Sequence, residues 1–300
     1  MATTLTTRHR ASQQLAPSST LEPRQKNSPI GKIGLYLALI AATAALLLPF
    51  YWMMVSSLKL DSLVFTVPVK WWPDPVRWQN YIEIWRQADL TGWLQNTLFL
   101  SVLVTILQVL TGSFAAYGFA KVRFPGRNAL FLAYVATIAV PWQSYMIPQF
   151  VLMRNLGLYD TLWAIVMLQA FGAFGVFLMK QFYETIPEEL SEAARIDGLS
   201  EYGIWARVIL PLSKPAVASL ALLTFVTTWN DYLGPLLYLR SRELWTMQIG
   251  LRTFISDPVH LEQYAMIMTG SVISVLPIAV IFMFGQRYFI EGIASTGLKG

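Results

Sequence analysis

Long apolar stretches separated by short polar segments dominate the chain. Each stretch is long enough to cross a hydrocarbon core of about 30 Å, which takes roughly 20 residues of helix. The stretches lie at residues 33–55, 94–120, 129–152, 162–179, 216–239 and 265–284. They predict an all-α membrane protein with six transmembrane helices, in a domain spanning residues 33–290.

The composition supports this prediction. Hydrophobic residues make up 55% of the chain and charged residues only 13%, and the mean hydropathy is +0.48. These values are not typical of a soluble protein, whose surface must face water. The chain has no cysteine, which excludes disulfides, thiol catalysis and cysteine-ligated metals.

Residues 1–32 are polar and basic. Arginines and lysines recur there among Ser, Thr, Gln and Pro, a pattern typical of a flexible tail. A cleaved signal peptide is disfavoured, because the apolar run after Lys32 is too long for a typical signal core.

The distribution of Lys and Arg predicts the orientation. With the N-terminus inside, a six-span chain places 14 of its 22 Lys and Arg on the inner side and 8 on the outer side. The positive-inside rule therefore puts both termini in the cytoplasm. The asymmetry also explains the net charge of +5 without a nucleic-acid partner, and a basic tail can contact anionic membrane lipid.

A polar and aromatic segment, residues 59–93, follows the first span and is expected outside. It contains five tryptophans: Trp71, Trp72, Trp78, Trp85 and Trp93. Indole rings commonly lie at the membrane interface, which is the favoured interpretation. A stacking platform for a sugar is the alternative.

A polar gap at about residues 181–215 is long for a simple connection, so we expect structure in it. Thr185 and Glu188 have the spacing of a capping box at the start of a helix. The helix should run to about Asp197 and stop at Gly198, since a glycine tolerates the left-handed conformation after a helix end. A second helix should open at Ser200.

The second helix is expected to continue to Leu210 and to stop near Pro211 and Pro215. The two helices form a hairpin that presents Leu190, Ala193 and Ala194 on one side. Small residues let a short helix seat deeply in a groove of another protein. An amphipathic helix lying on lipid headgroups is the alternative, but the acidic polar side suits anionic lipid poorly.

The loop resembles the EAA loop of ABC importer permeases. The matching residues, with Val208 in the place of an isoleucine, are Glu192, Ala193, Ala194, Gly198, Leu210 and Pro211. Residues 229–232 (Trp-Asn-Asp-Tyr) and the C-terminal segments 286–292 and 297–300 are similar to the maltose-type subfamily of carbohydrate importers.

This resemblance implies the type I ABC importer permease fold in a bacterial inner membrane. It also implies three partners: a second permease subunit, a pair of ATPase subunits and an extracytoplasmic solute-binding protein. The EAA-like residues would couple to the ATPase, and Lys299 and Gly300, in a C-terminal tail at residues 291–300, would be a second contact. ATP and Mg²⁺ would be used by the ATPase, with no cofactor on this chain, which lacks the G-x-x-x-x-G-K-[ST] pattern of a P-loop.

Asn230 and Asp231 are polar residues inside the fifth predicted span. A carboxylate in lipid is costly, so these side chains should face the bundle interior or water. They are interpreted either as part of a hydrated translocation cavity or gate, or as an interhelical cap at the outer end of the span.

Two other classes of protein compete with a permease subunit. A secondary carrier or channel would need buried ion-coupling groups, for which Asp231 is the main candidate. A membrane-embedded enzyme would have to use His9 or His260, and neither has metal-ligand or nucleophile-base spacing around it. The sequence leaves the solute open among disaccharides, polyols, glycosides and sugar phosphates.

Overall fold

The computed structural model describes the backbone of residues 29–257 and 263–297, and the side chains of residues 32–257 and 263–286. Apart from short 3-10 turns and one π-helical turn, the regular elements in these ranges are α-helices, as predicted. They are α1 Pro29–Ser57, α2 Asn80–Gln87, α3 Leu90–Lys121, α4 Arg127–Ala136, α5 Met146–Asn155, α6 Leu162–Gln169, α7 Ala173–Tyr183, α8 Glu188–Ile196, α9 Glu201–Ile204, α10 Leu210–Leu212, α11 Lys214–Trp229, α12 Leu233–Tyr238, α13 Met247–Ser256 and α14 Tyr264–Gly297.

The chain divides into two compact units, Met1–Pro49 and Phe50–Gly300. The boundary falls inside α1 at Pro49. All sites described below belong to the second unit.

Four segments of the described chain are long and apolar enough to cross a membrane: Lys32–Ser57, Leu90–Lys121, Leu162–Tyr183 and Tyr264–Gln286. A fifth crossing is added if the pair Glu201–Leu212 and Lys214–Trp229, bent by 83°, is one span. The first, second and sixth predicted spans correspond to single helices, α1, α3 and α14. The full count of six stays a prediction.

The predicted third span is two helices rather than one. α4 ends at Ala136, the chain is extended at Val140 and Pro141, and α5 begins at Met146. A residue before proline avoids the helical region, so the break falls at Pro141. Pro148 lies in the first turn of α5, where its missing N–H leaves no bond unmade, and it adds no second kink.

The predicted fourth span is interrupted between α6 and α7. Such a break frees carbonyl groups at the end of α6, and in lipid these need partners. Two side chains of α3 supply them: Gln108 Nε2 donates to the Gln169 carbonyl at 2.8 Å, and Thr111 Oγ1 donates to the Ala170 carbonyl at 2.8 Å. The interruption is thus stabilised from a neighbouring helix.

Helices α3, α7 and α11 pack closely where glycines face each other. A Cβ atom on Gly112 would lie 3.4 Å from the Gly175 backbone, and a Cβ on Gly175 would lie 3.2 Å from Leu220 Cδ1. A side chain longer than that of alanine at either position would push the helices apart.

Buried apolar side chains form a core beneath the EAA-like loop. Tyr183, Ile204 and Ile209 are fully buried there together with Met179 and Leu220. This core holds the loop helices against the ends of α3 and α7.

The tryptophans of residues 59–93 do not share one environment. Trp71, Trp72, Trp78 and Trp85 are exposed, so an interfacial position or a sugar platform stays a prediction for them. Trp93 is only 6% exposed and belongs to a buried apolar cluster.

Candidate functional site

The first loop helix, α8, begins at Glu188 with Pro187 in the N-cap position and no side-chain cap. The predicted capping box is wrong: the Thr185 hydroxyl donates to the Phe182 carbonyl at 2.7 Å. The carboxylate of Glu188 pairs with Lys121 and with an arginine of α8 instead. One tertiary ion pair, with Lys121, and one pair within α8 have replaced the local cap.

The end of α8 is as predicted. Gly198 has φ +83°, the left-handed conformation that glycine adopts without strain. Its N–H donates to the Arg195 carbonyl at 3.0 Å, and the Leu199 N–H donates to the Ala194 carbonyl at 3.0 Å. This pair of bonds is a Schellman motif, which satisfies carbonyls left free at the helix end.

The helix α8 has one buried and one exposed face. Ala194 is buried with Ser191, whereas Leu190 and Ala193 are exposed. The prediction that Ala194 shares a face with Leu190 and Ala193 is therefore wrong, because the apolar core beneath the loop takes Ala194. Sequence reasoning missed Ile196, which is 86% exposed and follows Ala193 by three residues.

Glu192 is exposed on α8 beside Ala193. Leu190, Glu192, Ala193 and Ile196 therefore form a mixed charged and apolar outer surface, called here the α8 outer face. Its members recur at the three- and four-residue spacing of helix neighbours.

The second loop helix opens at Ser200, as predicted, and the Ser200 hydroxyl accepts from the Gly203 N–H at 3.3 Å. It passes through a π-helical turn, Trp205–Ile209, and then through α10, Leu210–Leu212. The helix ends at Leu212, between Pro211 and Pro215, where the stop was predicted. A π turn before a proline is physically reasonable, since it relieves the clash of the ring with the carbonyl four residues back.

Leu210 is half-buried against the core beneath the loop, while Pro211 is exposed. The predicted coupling residues are therefore split between an inner set, Ala194 and Leu210, and an outer set on α8 and at Pro211.

Lys121, the last residue of α3, is buried against the start of the loop. Its side chain is only 4% exposed, and Nζ donates to the Ile186 carbonyl at 2.6 Å. The same Nζ lies 3.3 Å from Glu188 Oε2. A buried ammonium group needs such partners, because burying an unpaired charge is costly.

Arg195 of α8 continues the ion pairs. Nη1 lies 3.5 Å from Glu188 Oε1, and Nε donates to Glu201 Oε1 at 2.7 Å. The Tyr117 hydroxyl, on α3, donates to Glu201 Oε2 at 2.5 Å. Tyr117, Lys121, Glu188, Arg195 and Glu201 are called here the Lys121 network.

The electrostatics of the network are mutually stabilising. The hydrogen bond from Arg195 holds the pKa of the Glu201 carboxyl below its usual range, and partial desolvation opposes this. The hydrogen bond to Glu201 in turn raises the pKa of the Arg195 guanidinium. Arg195 and Glu201 therefore stabilise each other's charged forms within the loop.

A cavity of about 980 Å³ lies where α6–α7 and α11–α12 are interrupted. This volume is at the upper end of the roughly 300–1,000 Å³ range of small-molecule sites. Amide and carboxylate groups line it, from Gln108, Gln143, Gln149, Gln169, Asn230 and Asp231. Threonine hydroxyls and the rings of Trp142, Tyr145 and Tyr232 also line it, as do apolar side chains such as those of Leu168 and Leu223.

Asp231 lines this cavity and also caps a helix. Its Oδ2 accepts from Gln169 Nε2 at 2.7 Å, and its Oδ1 accepts from the Gly234 N–H at 3.1 Å in the first turn of α12. Asn230 donates from Nδ2 to the Val226 carbonyl at 2.9 Å and lines the same cavity. Asp231 therefore both lines a cavity and caps a helix, and a role of Asn230 and Asp231 in translocation stays a prediction.

Other predicted groups cannot be placed. Lys299, Gly300, His9 and His260 lie outside the described residues. Within the described ranges, no group of three or more His, Cys, Asp or Glu residues is arranged to hold a metal ion.

Residues 108–295, which include the loop and the cavity, match the family described as binding-protein-dependent transport system inner membrane component. The match covers more than half of the chain, so the chain belongs to this family. It is an inner-membrane permease subunit of a transport system, and not itself an enzyme.

Named relatives are transport permeases. The chain is 36% identical to the arabinooligosaccharides transport system permease AraQ of Halalkalibacterium halodurans over 229 residues, which are 76% of this chain and 81% of the relative. It is 33% identical to AraQ of Bacillus subtilis over 90% of this chain and 96% of that relative. It is 30% identical to the sn-glycerol-3-phosphate permease UgpE of Yersinia pestis over 87% and 95%.

Solved structures share the fold. A chain of a bacterial ABC transporter involved in import of the acidic polysaccharide alginate matches with a TM-score of 0.78 and 26% identity, covering 88% of this chain and 98% of that chain. A second chain, from the alginate transporter in complex with its pentasaccharide-bound periplasmic protein, matches in fold with a TM-score of 0.62 and 14% identity, over 86% and 94%. The fold is that of an ABC transporter permease.

Proposed function

We propose that this chain is one of two permease subunits of an ATP-driven importer that carries a carbohydrate, or a related polyol or glycoside, into the cytoplasm. The names of the relatives support a sugar-like solute. The observation that carries the proposal is the cavity, whose amides, hydroxyls and aromatic rings are the groups that bind polyhydroxylated molecules. An external solute-binding protein would deliver the solute, and the loop at residues 240–262 would face it.

The test is uptake into proteoliposomes that contain the complete transporter. Uptake of a labelled oligosaccharide should require ATP inside and the binding protein outside. The alternative, a secondary carrier or channel, predicts uptake driven by an ion or solute gradient without ATP. Gradient-driven uptake in the absence of ATP would overturn the proposal.

The proposed topology has six spans and cytoplasmic termini, with residues 33–290 as the permease domain and residues 1–32 and 291–300 as tails. The broken pair α4–α5 would form the third span. The chain has no cysteine, so one introduced cysteine is a unique label. Val67→Cys, at a side chain that is 97% exposed, should react with an impermeant maleimide in spheroplasts, and Ala193→Cys should react only after permeabilisation. The reverse pattern would contradict the orientation.

The α8 outer face would dock on the ATPase, with Glu192, Ala193 and Gly198 at the contact and Ala194, Leu210 and Pro211 supporting the hairpin. The exposure of Ile196 supports this, because an apolar side chain so open to water gains from burial in a groove.

Photo-cross-linking tests the docking surface. A benzophenone amino acid at Ile196 should cross-link to the ATPase, and the same group at Arg123, exposed in the turn after α3, is the matched control. Equal cross-linking at both positions would contradict a specific docking surface.

The energy source would lie outside this chain. ATP and Mg²⁺ would bind the ATPase pair, and this chain would bind no cofactor and no nucleic acid. Lys299 and Gly300 would form a second, C-terminal contact with the ATPase. Deleting both residues should weaken ATPase association in a pull-down, and unchanged association would remove this contact from the proposal.

A further inference from the structure

We infer that the cavity selects neutral polyhydroxylated solutes over anionic ones, and that Asp231 sets this preference. The inference rests on the proposed carbohydrate import and narrows its solute class. The fold alone does not determine whether the solute is neutral or anionic, since a solved structure with this fold is of a transporter involved in importing an acidic polysaccharide.

The carboxylate of Asp231 is held in a fixed position. Each of its oxygens accepts a hydrogen bond, from Gln169 Nε2 and from the Gly234 N–H. Gln169 is itself held, because its Oε1 accepts from the Thr228 hydroxyl at 3.3 Å. A Cβ on Gly234 would lie 2.5 Å from Asp231 Oδ2, so the glycine leaves room for this arrangement.

The hydrogen-bonding pattern is that of an ionised carboxylate. An ionised carboxylate accepts with both oxygens and donates from neither. The two donors around Asp231, an amide NH₂ and a backbone N–H, match this pattern and leave further lone pairs of the oxygens for a solute hydroxyl. A negative charge therefore lines the cavity.

The remaining lining is uncharged and mixes polar with apolar side chains. Gln143 and Asn230 present amide groups, and the Asn230 Oδ1 accepts no hydrogen bond from a described residue. Trp142 and Tyr232 add aromatic faces. The lining drawn from the described part of the chain includes no lysine or arginine. Sugar hydroxyls can donate to Asp231 and exchange hydrogen bonds with the amides.

An anionic solute meets a like charge instead. At about 5 Å and an effective dielectric constant of about 20, the repulsion between two unit charges corresponds to a factor of roughly 10² in affinity. Water in the open cavity screens this repulsion, so we expect the cavity to favour the neutral solute over the anionic one by about tenfold.

The test compares a matched pair of probes. The α-1,4-linked trisaccharides of galactose and of galacturonate have the same skeleton and differ in the charge of the C6 groups. ATP-driven uptake of each is measured in proteoliposomes holding the complete transporter, with wild-type chain, Asp231→Asn and Asp231→Glu. Because one binding protein is used throughout, its own preference cancels in the ratio of variant to wild type.

Asp231→Asn should raise galacturonate uptake relative to galactose uptake by about tenfold, and Asp231→Glu, which keeps the charge, should leave that ratio near the wild-type value. Asp74→Asn, at an exposed site that is not part of the cavity lining, makes the same charge change and should not move the ratio. An unchanged ratio in Asp231→Asn, or an equal shift in Asp74→Asn, would overturn the inference while leaving carbohydrate import intact. Uptake of neither probe by the wild-type transporter would count against the proposed function itself.

Discussion

Replacing Lys121 by methionine should release the EAA-like loop from α3. Methionine keeps an unbranched apolar stem of similar length but removes the ammonium group. The Ile186 carbonyl then loses its charged donor, and Glu188 keeps only Arg195. The loop should open more often while the rest of the fold stays intact.

The size of the effect follows from the two contacts that are lost. A hydrogen bond to a charged group contributes about 1.5–3 kcal/mol, and here the donor is buried. The pair with the part-exposed Glu188 adds at most about 1 kcal/mol, since solvent screens it. A loss of about 2 kcal/mol in the local opening free energy raises amide exchange roughly 30-fold.

Hydrogen exchange measured by mass spectrometry on the intact transporter provides the assay. Peptides covering α8, Glu188–Ile196, should exchange roughly 30-fold faster in Lys121→Met, and transport should fall more than ATPase activity. Lys121→Arg keeps a charged donor and should restore part of the protection.

Arg77→Met is the matched control. It removes an ion pair with Glu83, formed at 3.0 Å outside the loop, and should leave α8 exchange unchanged. If α8 protection in Lys121→Met equals that of the wild type in a correctly inserted protein, the Lys121 contacts do not attach the loop.

Three further substitutions test other features. Gly198→Val should destabilise the end of α8 by about 1–2 kcal/mol and lower transport, because a β-branched residue is strained at φ +83°. Gly198→Asn should destabilise it less, since asparagine tolerates this conformation better. Equal uptake by the two variants would contradict a role for backbone strain. Hydrogen bonds from Ser241 hold the pKa of the Asp160 carboxyl below its usual range, so its stabilisation is present above about pH 4 and is lost as the pH falls through the lowered pKa. Asp160→Asn should therefore lower the Tm at pH 7 and lose this difference in acid, and a pH-independent difference would refute the charge argument. Gly250→Ala places a Cβ 2.1 Å from the buried Trp93 indole and should cost about 1–3 kcal/mol of stability; an unchanged Tm would show that this packing is not tight.

Local signals in the sequence predicted the features that short-range chemistry determines. The apolar runs located α1, α3 and α14, and glycine chemistry located the stop at Gly198. Ser200 was correctly expected to open the second loop helix, because its hydroxyl caps the N–H of a residue only three positions away.

Features that depend on distant residues were missed. The interruption between α6 and α7 is stabilised by Gln108 and Thr111, which lie about sixty residues earlier in the chain. The capping box at Thr185 failed partly for the same reason, since the Glu188 carboxylate that it requires pairs with Lys121, 67 positions earlier. No local pattern encodes either contact.

The candidate site was predictable in its residues more than in its geometry. Asn230 and Asp231 were singled out because polar groups are costly in a span, but their cavity depends on breaks in two separate helices. The rotation of α8 about its own axis buries Ala194 and exposes Ile196. It depends on a core that forms only in the folded chain.

The position of the α3 contacts has a mechanical consequence. Gln108 and Thr111 hold the helix break beside the cavity, and Tyr117 and Lys121 hold the loop. All four lie on one uninterrupted helix without proline, and Gln108 and Lys121 are separated by about 20 Å at 1.5 Å per residue. A displacement of the loop that preserves these bonds therefore moves α3 as a rigid body and shifts the cavity wall with it. No backbone dihedral angle between residues 108 and 121 has to change.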